Sequence, residues 1–469
     1  MKRCNSLLKL ALGGWFMSNS FLSIKVLGSS KFRIDMVDGV TKTHFLSICY
    51  AALTTIGLLT FISFATTYVL VANLGYAKEF DEAGRYIGQL GRAVGDLQVV
   101  SEIALLLIFL PVGLIADKIG RSQVYAFGML TMGLSYVLYP LATGITELTV
   151  YRIVYAVGMG AATGMLGTVT ADYPQDRTRG KMIGLTGIMN ALGIIFVTLV
   201  FARLPETFKS MGYDDITSGK FAMMIVAGMC FITAIVVAFG LKKGTPTEEQ
   251  KKIPYSEQIK AGLAEGKNLR ILLAYFAAFV ARSDLVILGA FLVAWGTISG
   301  MESGLELPEA TSKARLLFVA SISAALVASP FIGYLMDKGD RIICVSICMA
   351  MAAAGYGSMM FVENPLESKF LSLFMLLGVG QQCAFFAATT LLGQEAPKIK
   401  RGAVVGVFNL SGALGILICS YIGGRIFDAI DPSAPFVFMG ICNIIVSMFA
   451  IYVFRKEKNA EQVPIGNTD

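Results

Sequence analysis

The sequence predicts an all-α, polytopic membrane protein whose twelve transmembrane helices form two pseudo-symmetric bundles of six. Three observations carry this expectation: apolar stretches of spanning length, a one-sided distribution of Lys and Arg, and a pair of motifs repeated at nearly one offset. Hydrophobic residues make up 55% of the 469-residue chain and charged residues 15%, against about 25% in ordinary soluble proteins, so lipid is the expected solvent. In lipid only helices and closed barrels satisfy their own backbone groups. The apolar runs are continuous and lack the alternation of barrel strands, so they read as helices.

Each span reaches the roughly 20 residues needed to cross a bilayer. The first, 46–74, follows the single histidine, His44, so a histidine metal cluster or intramembrane histidine relay has no residues to form it. The second, 95–116, carries Glu102 and ends in GLIADKIGR, ahead of the third, 122–143. Span four, 148–171, holds Arg152 and the glycine-rich run GMGAATGMLG. That run lacks the GK[ST] and the preceding strand of a phosphate loop, so close helix packing is its expected role. Span five, 182–204, opens on RGKMIGLTGIMNALGI, and span six, 221–241, leads into a polar linker. Span seven, 269–299, contains Arg282 and Asp284, and span eight, 314–336, ends in GYLMDKGDR. The last four spans are 342–362, 368–392 with Gln381 and Gln382, 403–427 opening on RGAVVGVFNLSGALGI, and 433–454. The expected organisation is therefore a tail at 1–45, bundles at 46–241 and 269–454, a linker at 242–268 and a tail at 455–469.

An even number of spans places both termini on one side. That side carries 27 of the 39 Lys and Arg, the opposite loops carry 9, and Arg152, Arg282 and Arg425 lie within spans. This bias predicts cytoplasmic termini in a multi-pass cell-membrane protein, and it accounts for the net charge of +7 without a nucleic-acid partner. The eight cysteines fall almost entirely within spans, as packing residues and not as a disulfide framework. Within the linker, 255–265 reads as a short surface helix. The first 44 residues are basic and broken by Gly13, Gly14 and Lys25, with an apolar stretch at Leu7–Met17 that imitates a signal peptide; a loosely ordered tail is the preferred reading.

The repeat divides the chain. Gly113, Asp117 and Arg121 of GLIADKIGR recur as Gly333, Asp337 and Arg341 of GYLMDKGDR, at an offset of 220. The segments opening at Arg179 and Arg401 match at an offset of 222. At these loops the sequence resembles the major facilitator superfamily. GLIADKIGR is similar to that family's G-x-x-x-D-x-x-G-R loop between its second and third helices, GYLMDKGDR to the degenerate copy in the second half, and Arg152 in YRIVYAVGMGAA to its fourth-helix arginine motif. The resemblance covers residues 46–454 and implies alternating access by two bundles around a midplane site. Proton-driven exporters of the family often carry a glycine-proline motif in helix five. GLTGIMNALGIIF has no proline, which argues against drug/proton antiport.

The loops also have a physical reading as gates. Gly113, Gly120 and Gly333 would permit close backbone approach. Asp117 would face a helix terminus and pair with Arg121, with Asp337 and Arg341 as the second copy and Arg179 and Arg401 at the following helix starts. Pro111 and Pro330 would kink the helices one turn earlier.

Ionisable groups inside spans cost about 2.5–3.5 kcal/mol and mark function by default. Glu102 lies about 22 Å from the loop end of its helix, in the outer half of the bilayer. Glu102 or Asp284 is expected to take up a proton while Arg152 or Arg282 holds substrate or the released carboxylate, with Gln382 as a further contact. The competing structural reading has each charge fixing bundle packing.

Together these features predict a secondary transporter of a small organic solute, anionic or zwitterionic, coupled to protons and working as a monomer without cofactor or metal. The alternatives are an efflux antiporter of the same fold, or a receptor or channel on the same scaffold. An enzyme is disfavoured, because no convergent catalytic set is found.

Overall fold

The computed structural model describes residues 23–25, 33–77, 86–244 and 255–461. Among the described residues fourteen α-helices run from α1 to α14: Lys42–Ala72, Leu90–Ile119, Arg121–Leu138, Ile145–Asp172, Arg179–Val200, Leu204–Ser210, Asp215–Gly240, Tyr255–Glu265, Leu269–Glu302, Leu307–Lys338, Arg341–Gly357, Leu371–Glu395, Arg401–Ala429 and Ala434–Glu461. Among the described residues eleven spans are long and apolar enough to cross a membrane. The twelfth, α2, becomes one when its two pieces are joined, Leu90–Phe109 and Pro111–Ile119, which meet at 45°. Every span expected from sequence is present. The bend falls at Pro111, which lacks the amide of a regular helix and crowds the preceding turn. By contrast, α10 passes through Pro330 as a single span.

Local chemistry sets several helix starts. At α1, Thr41 accepts from the His44 amide while His44 Nδ1 accepts from the Thr41 amide, a reciprocal cap. Asp214 caps α7, Asn268 caps α9 and Asp340 caps α11 through their side-chain oxygens. Between α2 and α3, Gly120 adopts φ +101°, a conformation that a side chain disfavours, and so turns the chain within one residue.

Packing repeats between the halves. α1 packs on α5 and α7, α3 on α4 and α7, and α2 on α4. In the second half α9 packs on α13 and α14, α11 on α12 and α14, and α10 on α12. Glycines allow several of these approaches. Gly158 and Gly128 place α4 against α3 so closely that a Cβ on either would strike backbone of the other helix. The packing role expected of 158–167 is thus taken by its first residues, Gly158 and Gly160, whereas Gly167 meets nothing.

The halves touch through α2 with α13, α5 with α10, and α1 with α9. These contacts lie on the side away from the termini. There a Cβ at Gly95 would stand 2.5 Å from the Ser420 carbonyl and one at Gly424 2.5 Å from the Gly91 carbonyl. Towards the termini the same helices separate: Cβ atoms at Gly113, Gly180, Gly184, Gly333, Gly402 and Gly406 would meet nothing within 4 Å. The molecule is closed on one face and open on the face of its termini.

Residues 33–40 are not the loosely ordered tail expected from sequence. β1 (Ser23–Lys25) pairs antiparallel with β2 (Arg33–Asp35), and the chain then bridges the α4–α5 loop at Met36 and Pro174. Asp35 is buried and pairs with Arg177 and Arg33, both at 2.8 Å, and Ile34, Met36 and Val40 are buried with it. Alternating apolar residues bury one face of this short strap, a signal too brief to stand out in a basic segment. The Leu7–Met17 stretch, Gly13 and Gly14 lie outside the described residues. The linker helix is found at α8; it packs on the start of α13, and the Tyr275 hydroxyl of α9 donates to its Gly262 carbonyl at 2.8 Å.

Candidate transport site and gates

The intramembrane charges divide into three settings. Glu102 on α2 is buried, 7% exposed, and the charge acting on it is Arg282 of α9, so a carboxylate of the first half faces a guanidinium of the second. Arg282 is oriented from its own half: Nη2 donates to Asn409 Oδ1 at 2.6 Å, and Gly412 leaves the space that its stem fills. The two groups come within electrostatic reach, without a hydrogen bond or ion pair between them, because α2 and α9 both line the junction between halves.

Asp284, two residues beyond Arg282, points elsewhere. It is wholly buried within the second half, where Asn443 Nδ2 donates to both carboxylate oxygens at 3.0 Å and the Tyr356 hydroxyl donates to its backbone carbonyl at 2.6 Å. Residues two apart on a helix face different ways, so one enters the junction and the other the bundle core.

Arg152 occupies a third setting, inside the first half. Nε donates to Ser101 Oγ, Nη1 to Thr66 Oγ1 at 3.1 Å and to the Tyr139 hydroxyl at 3.5 Å, and Nη2 to Gln98 Oε1; the guanidinium lies 5.3 Å from the Tyr155 ring centre. Its donors are taken up by neutral groups. Gln382 is half-buried on α12 beside the half-buried Phe385 and Phe386, while its neighbour Gln381 is buried.

At the open face the loop residues are arranged differently from the sequence expectation. Arg121 pairs with Asp172 at the end of α4, and Asp117 is a further acidic charge acting on it. In the second half Arg341 pairs with Glu395, at the end of α12, at 3.3 Å, while Asp337 is exposed. In both halves the loop arginine also reaches an acidic residue at the end of a neighbouring helix. Glu395 also binds Arg270 at 3.1 Å, and Arg270 holds Glu457 through Nε and Nη2, both at 2.8 Å. The close approach expected at Gly113 and Gly333 is not made in this conformation, since both face open space. Arg179 donates to the Ala171 carbonyl at 2.9 Å and pairs with Asp176, and Arg401 stands exposed at the start of α13.

Asp172 and Glu395 were missed in the sequence. Their signal was an acidic residue seven and six positions before the repeated Arg-Gly pair, at Arg179 and Arg401. Also missed were the small residues Gly91 and Gly95 on α2 with Ser420 and Gly424 on α13, a four-residue spacing on both helices that suits close crossing.

Comparison with known proteins agrees with this architecture. The chain is 29% identical over 375 residues to the magnetosome protein MamH of Paramagnetospirillum magneticum, covering 78% of this chain and 84% of MamH. Its fold matches the crystal structure of the nucleoside transporter NupG with a TM-score of 0.66 at 13% identity, over 88% of this chain and 100% of that one. It also matches a bacterial homolog of the human lysosomal transporter Spinster, in an inward-facing and unoccupied conformation, with a TM-score of 0.60 at 16% identity, over 91% and 100%. The family model of the Major Facilitator Superfamily matches residues 53–308 and 275–468, and the chain belongs to that family of membrane transporters.

Proposed function

We propose that this transporter moves a small anionic or zwitterionic organic solute by alternating access, coupled to protons through Glu102 and Arg282. The observation that carries the reading is the placement of these two groups. A buried carboxylate and a half-buried guanidinium, one from each half, lie within electrostatic reach of each other where the halves meet. Arg282, steadied by Asn409, is the group that a substrate carboxylate or phosphate would engage. Substrate binding would draw Arg282 away from Glu102, and proton uptake by Glu102 would offset the loss of its partner, so the two events favour each other. The bundles at 46–241 and 269–454 are the bodies that rock, with the Arg121–Asp172 and Arg341–Glu395 pairs bracing the loops of the open face. The excess of Lys and Arg on the side of the termini supports cytoplasmic termini in the cell membrane, which makes the open face the inward one. A monomer contains every part of this mechanism. Asp284 and Arg152 support bundle structure in this reading, because their polar partners lie within their own halves.

The test is flux into proteoliposomes from a panel of organic acids, amino acids, phosphate and nucleosides. A carrier saturates and shows counterflow, which a channel or a receptor does not. With the transported solute identified, Glu102→Gln is expected to abolish accumulation driven by a pH gradient while leaving counterflow intact. Gradient-driven accumulation that survives Glu102→Gln would remove Glu102 from the coupling mechanism.

A further inference from the structure

On the face away from the termini, two contacts among the described residues have the second half binding backbone at a helix end of the first. Gln89, the N-cap of α2, makes no side-chain cap bond; the Leu90 amide donates to the Tyr86 hydroxyl, which leaves the next amides, of Gly91 and Arg92, in need of a partner. Asp428, near the end of α13, provides one. Its Oδ1 accepts from the Gly91 amide at 2.8 Å and its Oδ2 from the Arg92 amide at 2.7 Å. A carboxylate at this place also meets the positive end of the α2 dipole. The other contact has the opposite sign. α5 ends at Val200 and passes through a 3-10 turn, Phe201–Arg203, directly into α6, so the hydrogen-bond pattern changes there. Arg315 of α10 places Nη1 2.5 Å from the Leu199 carbonyl at this junction, its Nε donates to the Ser312 carbonyl at 2.8 Å, and Ser312 Oγ donates to Glu206 of the first half. A cation thus binds a backbone carbonyl at the α5–α6 junction and an anion a helix N-terminus, both reaching across from the second half.

We propose that Asp428 and Arg315 form a two-point latch that sets the balance of alternating access towards the state closed on this face. Asp428 is a helix cap borrowed from the other half, and Arg315 is a backbone contact borrowed in the same way. When α2 leaves α13, or α5 leaves α10, the contact is lost and only water replaces it. The remaining polar link between α2 and α13 in this region, Arg425 with Asp96 at 2.9 Å, is exposed and contributes less. Small-residue packing between α2 and α13 gives the latch its close approach, since Asp428 can reach the α2 amides only where the two backbones nearly touch. The latch rests on the transporter changing which face is open. It does not depend on which solute is carried or on proton coupling.

The experiment measures the distance between the halves on this face in the full-length protein in nanodiscs. Spin labels are attached at Thr143→Cys and Glu363→Cys in an otherwise cysteine-free chain, and the distribution is read by double electron–electron resonance. Asp428→Ala is expected to raise the ratio of separated to closed molecules by about fivefold, the size of a lost helix cap. Arg315→Ala is expected to act in the same direction, and the double variant to exceed either. Asp428→Asn keeps the size and one acceptor oxygen but loses the charge, so it should fall between parent and Asp428→Ala; it also carries the test if the alanine variant does not fold. Distance distributions equal to the parent's in these variants overturn the latch, whether or not the melting temperature falls. A shift in a protein that carries none of the panel solutes would keep the latch while refuting the transport reading.

Discussion

Asn443→Leu tests whether Asp284 belongs to the bundle core. Asp284 and Asn443 are both 0% exposed, and one amide nitrogen serves both carboxylate oxygens at 3.0 Å as well as the Met439 carbonyl at 3.0 Å. Leucine has nearly the shape of asparagine but no donor, so the substitution strips the carboxyl group of its side-chain partner at a fully buried site. Leaving a buried polar group unsatisfied costs about 1–3 kcal/mol, and the two lost contacts place Asn443→Leu in the upper part of that range. Asp284→Asn keeps an oxygen to accept from Asn443 and should cost under about 1 kcal/mol. Replacing both residues by Leu removes both halves of the polar contact, so the double variant should lose about 1–3 kcal/mol less than the sum of the Asn443→Leu and Asp284→Leu losses. Reversible unfolding in mixed micelles, followed by helical circular dichroism, gives all four corners of the cycle. Single-variant losses that add without a coupling term, or an Asn443→Leu cost below about 0.5 kcal/mol, would refute the claim that this contact organises the second half.

Two further predictions concern features that the fold makes unequal or pH-dependent. Gly95→Ala should destabilise by about 1–3 kcal/mol, because its Cβ would stand 2.5 Å from the Ser420 carbonyl, whereas Gly113→Ala faces open space and should stabilise by about 0.4–1 kcal/mol; equal melting temperatures for the two variants would contradict the closed-face, open-face description. At α7, the hydrogen bond to Thr217 holds the Asp214 carboxyl below its usual value, so the cap's contribution is complete above the ordinary aspartate range, near about 4, and is lost as pH falls through the lowered folded value. A pH titration of melting temperature should therefore show a smaller acid-side loss in Asp214→Ala than in the parent, and identical slopes would exclude this cap as a contributor.

The sequence by itself determined what depends on runs of neighbouring residues. Spanning length and apolarity are local, so the helices were legible, including the helical linker segment at 255–265 and the bend at Pro111. Duplication was legible because both copies kept the glycine, aspartate and arginine of the loop in register. Glu102 and Arg282 were also legible as candidates, since charge inside an apolar run is visible without a fold. Only the tertiary structure decided which charges meet. That depends on the rotation of each helix about its axis and on helices far apart in the chain. Rotation turns Arg282 into the junction and Asp284 into the core, although two residues separate them. Long-range placement gives Arg121 the partner Asp172, Arg341 the partner Glu395, and the first turn of α2 a cap from Asp428, more than 330 positions away. The strap at 33–40 was hidden for the same reason, because its partners, Tyr173 to Thr178, lie in a loop four helices later in the chain.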